Sequence, residues 1–90
     1  MGWKVEITPE ANVALKKLGT AEAQRVLKFL FNRIHGRENP REIGENLKGN
    51  LREYWRYRVG DYRILCRLED ENITVFVIQI GNRREIYKNK

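Results

Sequence analysis

The amino-acid sequence predicts an α+β domain: an N-terminal strand and a two-helix hairpin packed on one face of an antiparallel β-sheet, in the order β-α-α-β-β-β. Three observations carry that expectation. Between Ala11 and Ile34 apolar residues recur at helical spacing, so each segment has one stripe to bury. From Leu51 the period becomes two, the spacing of a half-buried strand. Gly19-Thr20, Gly36 and Gly60-Asp61 punctuate the pattern where the chain must turn.

Trp3-Lys4-Val5-Glu6-Ile7 alternates apolar and polar residues and reads as the first strand. Thr8 can cap the first helix, Pro9 suits its first position, where no N–H is needed, and Glu10 meets the positive end of the helix dipole. Ala11, Ala14, Leu15 and Leu18 form the inner stripe, and Gly19 stops the helix. Thr20 can cap a second helix with the inner face Ala23, Val26, Leu27, Leu30, Phe31 and Ile34, ending at Gly36. Residues 37–50 contain one Pro, two Gly and three Asn, and read as a loop anchored through Ile43 and Leu47.

Beyond the loop, Leu51, Glu53, Trp55, Tyr57 and Val59 alternate with Arg52, Tyr54, Arg56 and Arg58. After a tight hairpin turn at Gly60-Asp61, Tyr62, Ile64, Cys66 and Leu68 alternate with Arg63, Leu65 and Arg67. Asp70-Glu71-Asn72 turns the chain into residues 73–80, apolar nearly throughout, as expected of a central strand buried on both sides. Gly81-Asn82-Arg83-Arg84-Glu85 breaks that strand, and Ile86-Tyr87-Lys88 closes the chain.

Ninety residues allow one domain, residues 1–90, with a thin two-layer core. No apolar run approaches the roughly 20 residues of a membrane-spanning helix, and Met1-Gly2-Trp3-Lys4 lacks the apolar stretch of a signal peptide. The lone Cys66 has no internal disulfide partner, no Cys/His spacing resembles a zinc site, and a reducing cytoplasm is the expected compartment. Eighteen Lys+Arg against twelve Asp+Glu leave a formal charge of +6, which points to an anionic partner, nucleic acid first.

The kind of cation says more than the sum. Between Arg52 and Arg67 there are five Arg and no Lys. Arginine's fixed fork of donors suits bidentate phosphate contacts, which solubility alone does not demand. On the open face of the predicted hairpin, Tyr54, Arg56 and Arg58 fall beside Arg63 and Arg67, and like charges across strands repel. A polyanion offsets that repulsion. The competing reading is a solvated face on which these arginines pair with Glu53, Asp61, Glu69 and the acidic turn at Asp70-Glu71.

Three runs together resemble the RelE/ParE superfamily of toxin–antitoxin toxins, most closely its RelE branch. They are Leu47-Lys48-Gly49, then Tyr54-x-Arg56-x-Arg58-x-Gly60-Asp61-Tyr62-Arg63-Ile64, then Val75-Phe76-Val77-Ile78-x-Ile80-Gly81-x-Arg83-Arg84-Glu85-Ile86-Tyr87. The resemblance covers essentially the whole chain. It implies a cytoplasmic ribonuclease that enters the ribosomal A site and cuts mRNA there, with no metal and no cofactor, and that a RelB-like antitoxin inhibits. It implies catalytic roles for Arg56, Arg63, Arg83 and Tyr87; Tyr54, Arg58, Arg67, Arg84 and Lys48 are the RNA contacts expected beside them. Two positions depart from the pattern: Tyr54 stands where well-known members have a lysine, and Asn82 where many have histidine.

The chemistry can also be weighed from the residues. Arginines around a scissile phosphate stabilise the added charge of a pentacoordinate transition state, and losing one such donor costs about 10²–10³ in rate. Arginine releases its proton reluctantly, so Arg83 is a phosphate stabiliser and a candidate acid. Tyr87 is either a base lowered by neighbouring cations or an orienting group stacked on a nucleobase. Trp3 and Trp55 read as core or hairpin packing, Cys66 as a small buried hydrophobe, and His35 as a solvated residue favoured by the helix dipole. A gyrase poison of the ParE type and a binding module that occupies RNA or the ribosome without cleaving are the alternatives.

Overall fold

A computed structural model describes residues 2–47 and 54–82, with Asn82 described by its backbone alone. The chain runs through β1 (Lys4–Ile7), α1 (Pro9–Lys17), α2 (Thr20–Phe29), a π-helical turn (Leu30–Ile34), a short 3₁₀ turn (Pro40–Glu42), β2 (Glu45–Asn46), β3 (Tyr54–Val59), β4 (Tyr62–Glu69) and β5 (Thr74–Asn82). The expected α+β class and order hold, with one added short strand, β2.

The α1 start is built as its residues dictate. Thr8 keeps an extended backbone, its Oγ1 accepts from the Ala11 N–H at 3.2 Å, and Pro9 begins the helix. The same hydroxyl donates to the Val77 carbonyl at 2.8 Å, so the cap also ties α1 to the sheet. At α2 the expectation shifts by one residue. Gly19 takes the cap position and Thr20 is the first helical residue, with no side-chain cap.

The α2 stripe also ends differently from its periodicity. In the π-helical turn the His35 N–H reaches the Leu30 carbonyl at 2.8 Å, a wider loop than an α-turn. Val26, Leu30 and Ile34 stay fully buried, whereas Phe31 is 43% exposed. Phe29 packs against Tyr57 instead, with ring centroids 5.8 Å apart.

The strand order is β1-β5-β4-β3-β2. The hairpin strands β3 and β4 and their neighbours β2 and β5 pair antiparallel, whereas β1 lies parallel to β5, so the sheet is mixed. The helical hairpin carries the chain from β1 across the sheet toward β2 at the opposite edge, and β3 and β4 then lead back to β5 beside β1. The Lys4 N–H bonds the Ile73 carbonyl at one end of the pair and the Thr8 N–H bonds the Val77 carbonyl at the other. The outer edge of β1 is covered by the chain after the π-helical turn. Trp3 N–H donates to the Arg37 carbonyl, Gly36 N–H to the Trp3 carbonyl, and Val5 N–H to His35 Nδ1 at 3.0 Å. His35 is exposed, as expected, but it also closes a strand edge, a role that requires an unprotonated Nδ1.

One face of the sheet forms the core. Val5, Tyr57, Ile64, Cys66, Leu68, Val75, Val77 and Ile80 pack with Ala11, Leu15, Val26, Leu30 and Ile34. Trp3 is buried among them, and Cys66 is wholly buried, as its alternation predicts. β5 is interior, but the β4–β5 register shifts at Leu65/Cys66, and Phe76, Ile78 and Gln79 are only half-buried. Ile73 lies in the turn at φ 49°, a left-handed conformation unfavourable for a β-branched residue.

Segment 37–47 is a docked loop, as its apolar anchors suggest. The Tyr57 hydroxyl donates to the Pro40 carbonyl at 2.8 Å, and Trp55 Nε1 donates to the Ile43 carbonyl at 2.6 Å. Ile43 packs against the core. No described helix is long and apolar enough to cross a membrane.

Candidate functional site

The sheet face turned away from the helices carries the arginines, in rows set by strand register. Arg58 of β3 stands directly opposite Arg63 of β4, which in turn opposes Gly81 of β5. The next row reads Glu45, Arg56, Leu65 and Gln79 from β2 to β5. The third reads Tyr54, Arg67 and Phe76. The turn that creates this alignment has two residues. Val59 pairs with Tyr62, and Gly60 has φ 59° while Asp61 has no positive φ, the type II′ pattern whose twist matches the strands.

Tyr54, Arg56, Arg58, Arg63 and Arg67 therefore share one face, as the alternation predicts. Arg63 is 8% exposed, between Arg58 and Gly81 in its row and beside Leu65 along β4. Arg67 lies over the Phe76 ring at 5.5 Å and pairs with Glu69 at 2.8 Å. Its Nε is buried and has no acceptor among the described residues. Lys48, Arg83, Arg84 and Tyr87 lie outside the described residues. The described chain ends at Asn82, opposite Tyr62 and one residue past Gly81, which faces Arg63.

Among the described residues the solvated-face reading holds for one pair, and its Glu53 lies outside them. Arg67 does take Glu69. Asp70, however, is held by Arg41, whose two terminal nitrogens reach its two oxygens at 3.0 and 3.1 Å. That guanidinium keeps the Asp70 carboxyl below the usual carboxylate range. Among the described residues, Arg56 and Arg58 both pair with Glu45, which the sequence reading did not single out. Arg56 Nη2 donates to Glu45 Oε1 at 2.7 Å, and Arg58 Nη2 lies 3.7 Å from Oε2. The hydrogen bond and charge of Arg56 hold the Glu45 carboxyl below its ordinary value, with Arg58 and Arg63 adding to the effect.

Glu45 reaches this position because the chain before it is glycine. Gly44 has φ 90°, and a Cβ there would lie 2.6 Å from both the Arg56 carbonyl oxygen and Trp55 Nε1. Only a residue without a side chain lets β2 approach β3 so closely. Gly44-Glu45 was the available signal, but a two-residue strand has no periodicity to display its register.

The arrangement can bind and stabilise a phosphate through several forked donors on one face. Two other reactive groups are excluded from this chemistry by position. Tyr57 and Cys66 lie on the helix-covered face, where burial pushes both far above their ordinary pKa values. Among the described residues no group of three His, Cys, Asp or Glu side chains is placed to hold a metal ion.

The family described as "ParE toxin of type II toxin-antitoxin system, parDE" matches residues 5–87. Toxin RelG of Mycobacterium tuberculosis is 33% identical over 88 residues, covering 98% of this chain and 99% of that protein. Toxin RelE of the same organism is 29% identical over 86 residues, covering 96% and 87%. The crystal structure of the M. tuberculosis toxin–antitoxin complex RelBE2 superposes with a TM-score of 0.82 at 29% identity, over 92% of this chain and 100% of that one. A mutant of E. coli toxin RelE in the free state gives a TM-score of 0.75 at 25% identity, over 98% and 93%.

Proposed function

This chain belongs to the RelE/ParE superfamily of toxins of type II toxin–antitoxin systems, and from that premise we propose that it is a ribosome-dependent endoribonuclease cutting mRNA in the ribosomal A site without metal. The observation that supports the reading best is the cross-strand pair Arg58 and Arg63, with Arg56 one row away. Folding gains nothing from like charges directly opposite each other, whereas an RNA phosphate does.

In the proposed reaction the ribose 2′-oxygen attacks the adjacent phosphorus, its proton passes to a base, and the 5′-oxygen leaves with a proton from an acid. Arg56 and Arg63 stabilise the charge that accumulates on the phosphoryl oxygens, and Arg83 joins them as stabiliser or acid. Tyr87 accepts the 2′ proton or holds the RNA bent for in-line attack. Tyr54, Arg58, Arg67, Arg84 and Lys48 hold the strand through phosphates and stacking. The ribosome supplies the substrate's geometry, so naked RNA is a poor substrate. The reaction places the protein in the cytoplasm. A RelB-like antitoxin would neutralise it by covering the basic face or displacing the Tyr87 segment, and the similarity to RelBE2, solved as a toxin–antitoxin complex, favours such a partner.

The test is a translating-ribosome assay with mapped mRNA ends, comparing wild type with Arg83→Ala and Tyr87→Phe. New ends in the wild-type reaction, reduced about 10²–10³-fold in rate by Arg83→Ala, are expected. Absence of new ends in the wild-type reaction would falsify the nuclease reading. The family description names ParE, which favours a second reading, a DNA gyrase poison. Inhibition of gyrase supercoiling by the purified toxin, with mRNA intact, would establish that one instead.

A further inference from the structure

We propose that Glu45 is an internal counter-anion of the arginine site: it holds Arg56 and Arg58 in the free protein and competes with an RNA phosphate for the same donors. The inference rests on the RNA-directed reading of the open face and adds to it a positioning residue that sets a threshold on RNA affinity.

The geometry carries it. A carboxylate presents two oxygens to forked donors much as a phosphate does, and Glu45 offers one oxygen to each arginine, at 2.7 and 3.7 Å. Strand pairing places it there. β2 is clamped to β3 by the Asn46 Nδ2 bond to the Tyr54 carbonyl at 3.1 Å and by the Trp55 bond to Ile43 O. A Cβ at Gly44 would lie 2.6 Å from the Arg56 carbonyl oxygen, so the glycine is what lets the loop approach Arg56 this closely. The two partners differ in freedom. The Arg56 side chain is 13% exposed and the Glu45 side chain 52%, so the carboxylate can leave toward solvent while the guanidinium stays.

Two consequences follow, with opposite signs. Removing the charge of Glu45 frees donors for phosphate and raises the net charge of the face by one. RNA then binds more tightly and with a steeper salt dependence, about 0.7 more per added phosphate contact on a single strand. Glu45 also orients Arg56, so the same change lowers the maximal cleavage rate. A residue with a merely structural role would lower the unfolding midpoint and leave the salt slope unchanged.

The experiment measures binding of a labelled, non-cleavable 2′-O-methyl oligonucleotide to wild type, Glu45→Gln and Glu45→Ala between about 50 and 300 mM salt. Unfolding midpoints and ribosome-dependent cleavage at saturation accompany the binding curves. Expected are affinities roughly 3–10-fold tighter at low salt for both variants, a steeper slope, and a lower saturated rate. Equal or weaker affinity in folded variants, or no oligonucleotide binding by any of the proteins, overturns the proposal. If the binding changes occur but no protein cleaves mRNA, the counter-anion role stands and the nuclease reading falls. If wild type cleaves mRNA while binding is unchanged in the variants, this inference alone falls.

Discussion

Two cross-strand pairs lie one residue apart on the same hairpin and follow opposite physical rules. Tyr57 and Ile64 face each other toward the helices, both fully buried, one hydroxyl satisfied by the Pro40 carbonyl. Arg58 and Arg63 face each other on the opposite side, where neither can neutralise the other. The first pair adds apolar area removed from water, which stabilises by about 25 cal/mol per Å². The second adds repulsion that only another group can relieve. In the free protein Glu45 relieves part of it, through Arg58. A single β-hairpin thus carries its stability on one face and its proposed recognition chemistry on the other.

The contrast can be broken most strongly from the buried side. Ile64→Ala opens a cavity in the buried core and should cost about 2–5 kcal/mol, read as a shift in the urea midpoint at constant m-value. A loss under 1 kcal/mol would mean that the sheet face is not the main core. Tyr57→Phe keeps the ring but strands the buried Pro40 carbonyl, and about 1–2 kcal/mol is expected by the same measurement. The open side should give the smallest stability change. Arg58→Gln relieves repulsion, gives up an exposed ion pair and changes stability by less than about 0.5 kcal/mol. It should nevertheless reduce oligonucleotide affinity and flatten the salt slope by about 0.7. An Arg58→Gln variant that lost stability like a core mutant would dissolve the distinction between the two faces.

Much of this arrangement is legible in the chain. The period of two between Tyr54 and Leu68 assigns each residue to the correct face, and Gly60-Asp61 marks the turn that sets the hairpin register. Thr8-Pro9-Glu10 marks the start of α1. The misses have physical causes. Periodicity reports which face a residue occupies but not which strand lies beside it, so the parallel neighbour of β5 had to come from the structure. Phe31 leaves the core because a π-helical turn changes the angular step that the α-periodicity assumes. His35 gained its hydrogen bond from Val5, thirty residues away, and no local pattern announces such a contact.

Glu45 is the instructive case. In the sequence it is one acidic residue in a polar loop, eleven positions before Arg56 and indistinguishable from Glu42 or Glu38. In the fold it is an anion within reach of both Arg56 and Arg58. Local steric and hydrophobic rules, acting over a few residues, were enough to determine the helices, the hairpin and the arginine-bearing face. The mixed sheet and the pairing of Glu45 with Arg56 and Arg58 were decided by tertiary structure, because register between separated segments depends on the docking of a glycine-bearing loop against the hairpin. That docking is a property of the packed chain, and no local pattern encodes it.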